Sequence, residues 1–133
     1  LHHRPLHLGR SRRTASTDQR LALFATDHGC TFPGCTAPAT RTQVHHVTDW
    51  ATGGSTDIDN LTDCCGPHNR SVGPESNQWQ TTTITTGPDS GRAHWKQPAA
   101  HPDQTPRVNQ VHHADRIINR LLAAGGETDG DPP

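Results

Sequence analysis

Apolar residues are sparse in this chain and fall in a few short stretches. The run STDQRLALFATD, from Ser16, places Leu21, Phe24 and Ala25 three and four apart, as one face of a helix would. Ser16-x-x-Gln19 is a capping box that opens this helix, and Gly29 just beyond Asp27 is its stop. Thr42–Val47 reads as a short strand with Val44 and Val47 as its apolar positions, and Leu61–Cys65 as a second. Trp50–Asp59 between them is a loop punctuated by Gly53-Gly54. Pro67 suits the first turn of a helix, which Gly73-Pro74 ends. The order is strand, loop, strand, helix. Further on, Gln78–Thr86 and Arg92–Gln97 flank the turn cluster Gly87-Pro88-Asp89-Ser90-Gly91, a hairpin with Trp79 and Trp95 as expected partners across it. Residues 98–107 read as a linker and 108–124 as an amphipathic helix with a stripe of Val111, Ala114, Ile118 and Leu121. His112-His113 falls on the surface of that helix in this reading. Residues 1–15 read as a basic extended linker and 125–133 as a disordered acidic tail.

Composition changes this picture in one respect. Leu, Ile, Val and Phe together number 19 of 133 residues, too few for a large core. Disorder throughout would require a high net charge as well, and the formal charge is only −1. A folded middle therefore needs something besides apolar burial to staple it. No apolar run approaches the length of a membrane span, and no signal-peptide pattern opens the chain. A cytoplasmic location is the expectation. The chain starts at Leu1 and contains no Met, so it reads as a fragment. Charge is uneven: residues 1–46 carry +4 and residues 47–70 carry −3, which permits an anionic partner beside a cation site. Arg10, Arg12 and Arg13 are the first phosphate-contact candidates, and Arg41 and Arg70 lie close to the central motifs.

Four cysteines offer the staple. Cys30-x4-Cys35 brackets the turn Pro33-Gly34, and Cys64-Cys65 is followed by Gly66-Pro67-His68. Disulfides would be one reading, with three connectivities. The other is a tetrahedral zinc set of Cys30, Cys35, Cys65 and His68, closed by four protein ligands and hence structural. Zinc bound in this way contributes directly to folding free energy. On a strand, Cys64 and Cys65 face opposite ways, which leaves Cys64 as a small buried residue.

The pieces Cys30-x4-Cys35, His45-His46, Gly53-Gly54, Asn60-Leu61 and Cys65-x2-His68-Asn69 together resemble the HNH endonuclease family, over about 40 residues. The flanks LGRSRRTAS, QRLAL and GRAHW are similar to an actinobacterial branch in which a helical domain of unknown function precedes the nuclease. The resemblance implies an α+β fold: a small zinc-stapled ββα-metal unit over residues 16–75, with a preceding helix, a following β-hairpin over 76–97 and a C-terminal helix. It also implies hydrolysis of DNA phosphodiester bonds, RNA not being excluded as substrate. His46 takes the family's general-base position, and Asn60 the middle position that pins the loop and orients the base. His45 and Asn69 take the positions that hold a catalytic cation. The amide oxygen at 69 stands in place of the signature's last His, as in many members of the family, and favours Mg²⁺ or Mn²⁺. Cys64 stands where the family usually has Leu. The alternative is an inactive zinc-stapled module that binds DNA or a protein. One geometric tension is already visible: adjacent strand residues face opposite ways, so His45 and His46 can share a site only if the strand bends or ends there.

Overall fold

The computed structural model describes residues 5–129. Helix α1 spans Thr17–Asp27, and the expected box forms: the Ser16 side chain accepts from the Gln19 N–H while the Gln19 side chain accepts from the Ser16 N–H. The helix ends on His28 in the left-handed conformation, at φ 64°, one residue before the glycine expected to stop it. The buried face differs from the expected one. Leu23, Gln19 and Asp27 point inward, while Leu21 and Phe24 are exposed. Two polar residues can face in because each finds partners there. The Gln19 amide donates to the Leu6 and Thr56 carbonyls, at 2.9 and 2.8 Å. The Asp27 carboxyl accepts the Asp63 N–H at 3.0 Å and the Thr62 hydroxyl at 3.3 Å. Burial pushes the Asp27 and Asp63 carboxyls up to about 6 and about 7.

Strands β1 (Thr42–His46) and β2 (Leu61–Cys65) pair antiparallel, in a register running from Thr42 opposite Cys65 to His46 opposite Leu61. Every residue of β2 is buried. Helix α2 (Gly66–Ser71) follows with no intervening loop, Cys65 being its N-cap and Pro67 lying in its first turn. This ββα unit is the centre of the molecule. Around it, Phe32 stacks on His68 with ring centroids 3.8 Å apart and meets Trp79 and Trp95 edge-on at 4.7 and 5.2 Å. Trp95 is fully buried, and its indole N–H donates to the Thr31 hydroxyl.

The second sheet pairs β3 (Gln80–Thr83) with β4 (Ala93–Lys96). Trp95 lies opposite Thr81 rather than the expected Trp79, which precedes the strand and bridges to Val72. The two indoles still meet edge-on, 6.4 Å apart. The C-terminal helix α3 runs over Ala114–Asp129, later at both ends than the pattern predicted. Residues 108–113 are held instead by the ββα unit. Asn109 is 2% exposed and donates to the Cys30 and Cys35 carbonyls, at 2.8 and 3.0 Å, while accepting from Gly34 and Val111. His113, expected on a helix surface, is buried and meets the His28 ring edge-on at 5.2 Å. Ile118 and Leu121 of the expected stripe are exposed. Residues 125–129 of the expected tail belong to α3, and residues 130–133 lie outside the described residues.

The N-terminal segment likewise has partners. Leu6, Leu8 and Gly9 exchange backbone hydrogen bonds with Thr56 and Ile58, so residues 6–9 run against the loop between β1 and β2. Residues 1–4 of the expected linker lie outside the described residues.

Candidate metal centre and groove

The knuckle brings Cys30, Cys35, Cys65 and His68 together, with all four ligand atoms within 4.8 Å of one another. Cys30 Sγ is 3.6 Å and Cys65 Sγ 3.1 Å from His68 Nδ1, and the Cys35 and Cys65 sulfurs are 4.0 Å apart. Tetrahedral zinc with Zn–S near ~2.3 Å has edges of roughly 3.8 Å, so the donor set is compatible with structural zinc. All four cysteines are free thiols, which removes the disulfide reading. Burial pushes the Cys30 thiol up to about 12 and holds the His68 imidazole below its usual range. A dication is the natural counter-charge for thiolates gathered in such a place. Cys64, adjacent to a ligand, is fully buried and takes no part in the cluster.

Along β1, with no knuckle ligand in its lining, runs a groove of about 790 Å³. Its floor is residues 42–47, with Arg13 and Arg20 among the lining residues toward α1 and Trp79 and Thr81 among those toward β3. His45, His46 and Asn69 all line it. Because β1 ends at His46, the pair reaches the same groove by different routes. His45 turns toward α2, with Nδ1 3.0 Å from Asn69 Oδ1. His46 turns toward the loop, with Nε2 3.0 Å from Thr56 Oγ1 and its ring 5.9 Å from that of Trp50. Burial lowers the pKa of both imidazoles; at His46 the Arg13 charge adds to it. Both rings are thus neutral near pH 7 and hold a lone pair for a proton or a metal.

Asn69 is oriented by its own donor, the Nδ2–H to Gln43 Oε1 at 2.9 Å, which turns its oxygen toward His45. Two ligand atoms held cis around an octahedral ion at about 2.1 Å are separated by roughly 3.0 Å, the spacing seen between His45 and Asn69. His45 Nε2 lies 3.1 Å from Thr81 Oγ1, and that hydroxyl donates to the Val47 carbonyl. A ring held through one nitrogen presents the other to a metal. Nitrogen and oxygen in this arrangement therefore fit a hard or borderline divalent cation.

The hydrogen bonds of the Asn60 side chain go to Thr48 and Ser55 rather than to either histidine. Its side chain ties the loop shut, accepting the Thr48 N–H at 2.8 Å and donating to the Thr48 and Ser55 carbonyls. Gly54 is needed for the same closure, since a Cβ there would lie 1.8 Å from the Thr48 carbonyl oxygen. The arginines separate into three kinds. Arg10 lies over Trp50 at 3.9 Å and donates to the Trp50 and Gly54 carbonyls, so its guanidinium already has a role in the loop. Arg13 lines the groove, and Arg12 joins it in a shallow depression at residues 12–16. Arg41 and Arg70 are exposed but lie off the groove. Sequence reasoning missed Arg20, Gln43, Thr56, Thr81 and Asn109. Gln43, Thr81 and Asn109 act through contacts at least 26 residues distant in sequence, while Thr56, ten residues from His46, sits inside the motif GGSTDIDN.

The ββα unit, with its Cys/His knuckle and a separate histidine-lined groove, is a mixed helix-and-strand fold of the α+β class whose cluster is consistent with a zinc site. Residues 29–74 match the model of the HNH endonuclease family. An uncharacterized protein of Mycobacterium tuberculosis is 43% identical over 115 residues, which cover 86% of this chain and 24% of the relative. An uncharacterized protein of Mycobacterium bovis is 42% identical over the same shares, and another from M. tuberculosis is 37% identical over 132 residues, 99% of this chain and 26% of its own. The chain thus spans about a quarter of the length of these relatives. No solved structure matches. Among the described residues no helix is long and apolar enough to cross a membrane.

Proposed function

We propose that this chain is a metal-dependent endonuclease that hydrolyses DNA phosphodiester bonds within the groove, in the cytoplasm. The observation that supports it most is the convergence of His45, His46 and Asn69 on one groove in a segment matching the HNH family. His46, neutral and backed by the loop, takes the proton from water as that water attacks phosphorus. The phosphorus–oxygen bond to the 3′ side breaks, leaving a 3′-hydroxyl and a 5′-phosphate. His45 and Asn69 hold Mg²⁺ or Mn²⁺, which when bound neutralises the phosphate and stabilises the leaving oxygen. Arg13 and Arg20 lie where they can meet backbone phosphates. Zinc on Cys30, Cys35, Cys65 and His68 holds α2, and therefore Asn69, against β1.

Nicking of supercoiled plasmid by the zinc-loaded chain tests this, with Mg²⁺, Mn²⁺ or neither, beside His46→Ala. Nicking that needs the cation and is lost in the variant is the expected result. A folded, zinc-loaded chain that binds DNA under all these conditions without cutting it would instead make this a binding module.

A further inference from the structure

The reacting nitrogen of His46 can be assigned from the hydrogen bonds of Thr56. Thr56 is fully buried. Its hydroxyl has two neighbours, the Arg13 carbonyl at 3.1 Å and His46 Nε2 at 3.0 Å. A hydroxyl has a single proton, and a backbone carbonyl can only accept. The Thr56 hydroxyl donates to the Arg13 carbonyl, which leaves the Thr56 oxygen as an acceptor toward the ring. An imidazole nitrogen facing an acceptor carries the proton.

We infer that Thr56 is a positioning residue that holds His46 in the Nε2–H tautomer, leaving Nδ1 as the nitrogen that accepts the proton from water. The inference rests on the nuclease reading for what Nδ1 does, but not for which nitrogen is protonated. Thr56 is itself anchored from three sides. Its carbonyl accepts from Gln19 and from the Leu8 N–H, and its N–H donates to the Gly9 carbonyl. The capping-box residue of α1 and the N-terminal segment thus both bear on the orientation of the base. This explains why residues 6–13, low in apolar content, are fastened to the loop: Arg13 supplies the carbonyl that sets the direction of the Thr56 proton.

The test is ¹⁵N-detected imidazole spectroscopy of the folded, zinc-loaded chain above the His46 titration, for the parent, Thr56→Ser and Thr56→Val. The parent and the serine variant are expected to show His46 protonated at Nε2 alone. The valine variant, nearly isosteric but without the hydroxyl, is expected to show both tautomers. In parallel, Thr56→Val is expected to lower kcat about tenfold with KM unchanged, and serine to restore it. A parent protonated at Nδ1, or a valine variant with the parent's tautomer, would overturn the inference. Should the tautomers behave as stated while no variant cuts DNA under any cation, Thr56 keeps its role and the nuclease reading fails. Zinc content and melting temperature, read on the same samples, separate loss of positioning from loss of fold.

Discussion

The two faces of the ββα unit are built from similar residue types and arranged in opposite ways. On the knuckle face, three thiols and one imidazole converge with nothing between them, and Phe32 stacks on the imidazole. On the groove face, each side chain has a polar partner of its own: His46 has Thr56, His45 has Thr81 and Asn69 has Gln43. The first arrangement is closed, with no open coordination position for chemistry. The second sets the proposed cation ligands His45 and Asn69 side by side, with the His46 imidazole lining the same groove. A closed set holds a fold together, whereas an open one can bind and turn over substrate. The contrast is sharpest at β2 and its end, where Cys65 belongs to the knuckle and Asn69, four residues later on α2, belongs to the groove.

Removing the knuckle should have the largest effect. Chelation of zinc, or Cys65→Ser, is expected to abolish cooperative unfolding, a loss on the order of 10 kcal/mol of binding free energy. Cys64→Ala, one residue away and fully buried, should cost only about 1–2 kcal/mol in chemical denaturation. On the groove face, His46→Ala should lower kcat about 10²- to 10⁴-fold with the melting temperature little changed. Asn69→Ala should weaken the concentration dependence on Mg²⁺ about 10- to 100-fold, measured by cleavage titration, while leaving one zinc per chain.

A smaller effect concerns pH. Burial and then the Arg13 charge hold His46 below its ordinary imidazole range, so it becomes a base as pH rises through a value under 6.5. The acid limb of kcat/KM should lie there. Arg13→Ala removes a cation, favours the protonated ring and should move that limb upward. A limb that stays put would mean that Arg13 affects the groove only through substrate.

Much of this molecule was legible in the sequence because local chemistry carried it. The capping box at Ser16 and Gln19, the break at Gly66-Pro67 and the knuckle spacing each depend on residues a few positions apart. The buried face of α1 was misread because Gln19 and Asp27 are polar, and only their distant partners, Leu6, Thr56, Thr62 and Asp63, make burial affordable. Residues 108–113 were read as helix for a similar reason. Asn109 gains more from the knuckle carbonyls than from helical continuation, and that pairing spans more than 70 residues. In the groove, His45, His46 and Asn69 were visible as residue types at family spacing, but the threonines that orient them were not. A threonine in a strand or loop has no local signature that distinguishes an orienting hydroxyl from an ordinary one.

The claim that the two faces hold metals for different purposes is tested most directly by quantifying zinc in the purified chain and then measuring plasmid nicking as Mg²⁺ or Mn²⁺ is added. The account predicts one zinc per chain, no cleavage before the second cation is present, and saturable cleavage once it is. Full cleavage by the zinc-only chain, indifferent to added cation, would contradict it.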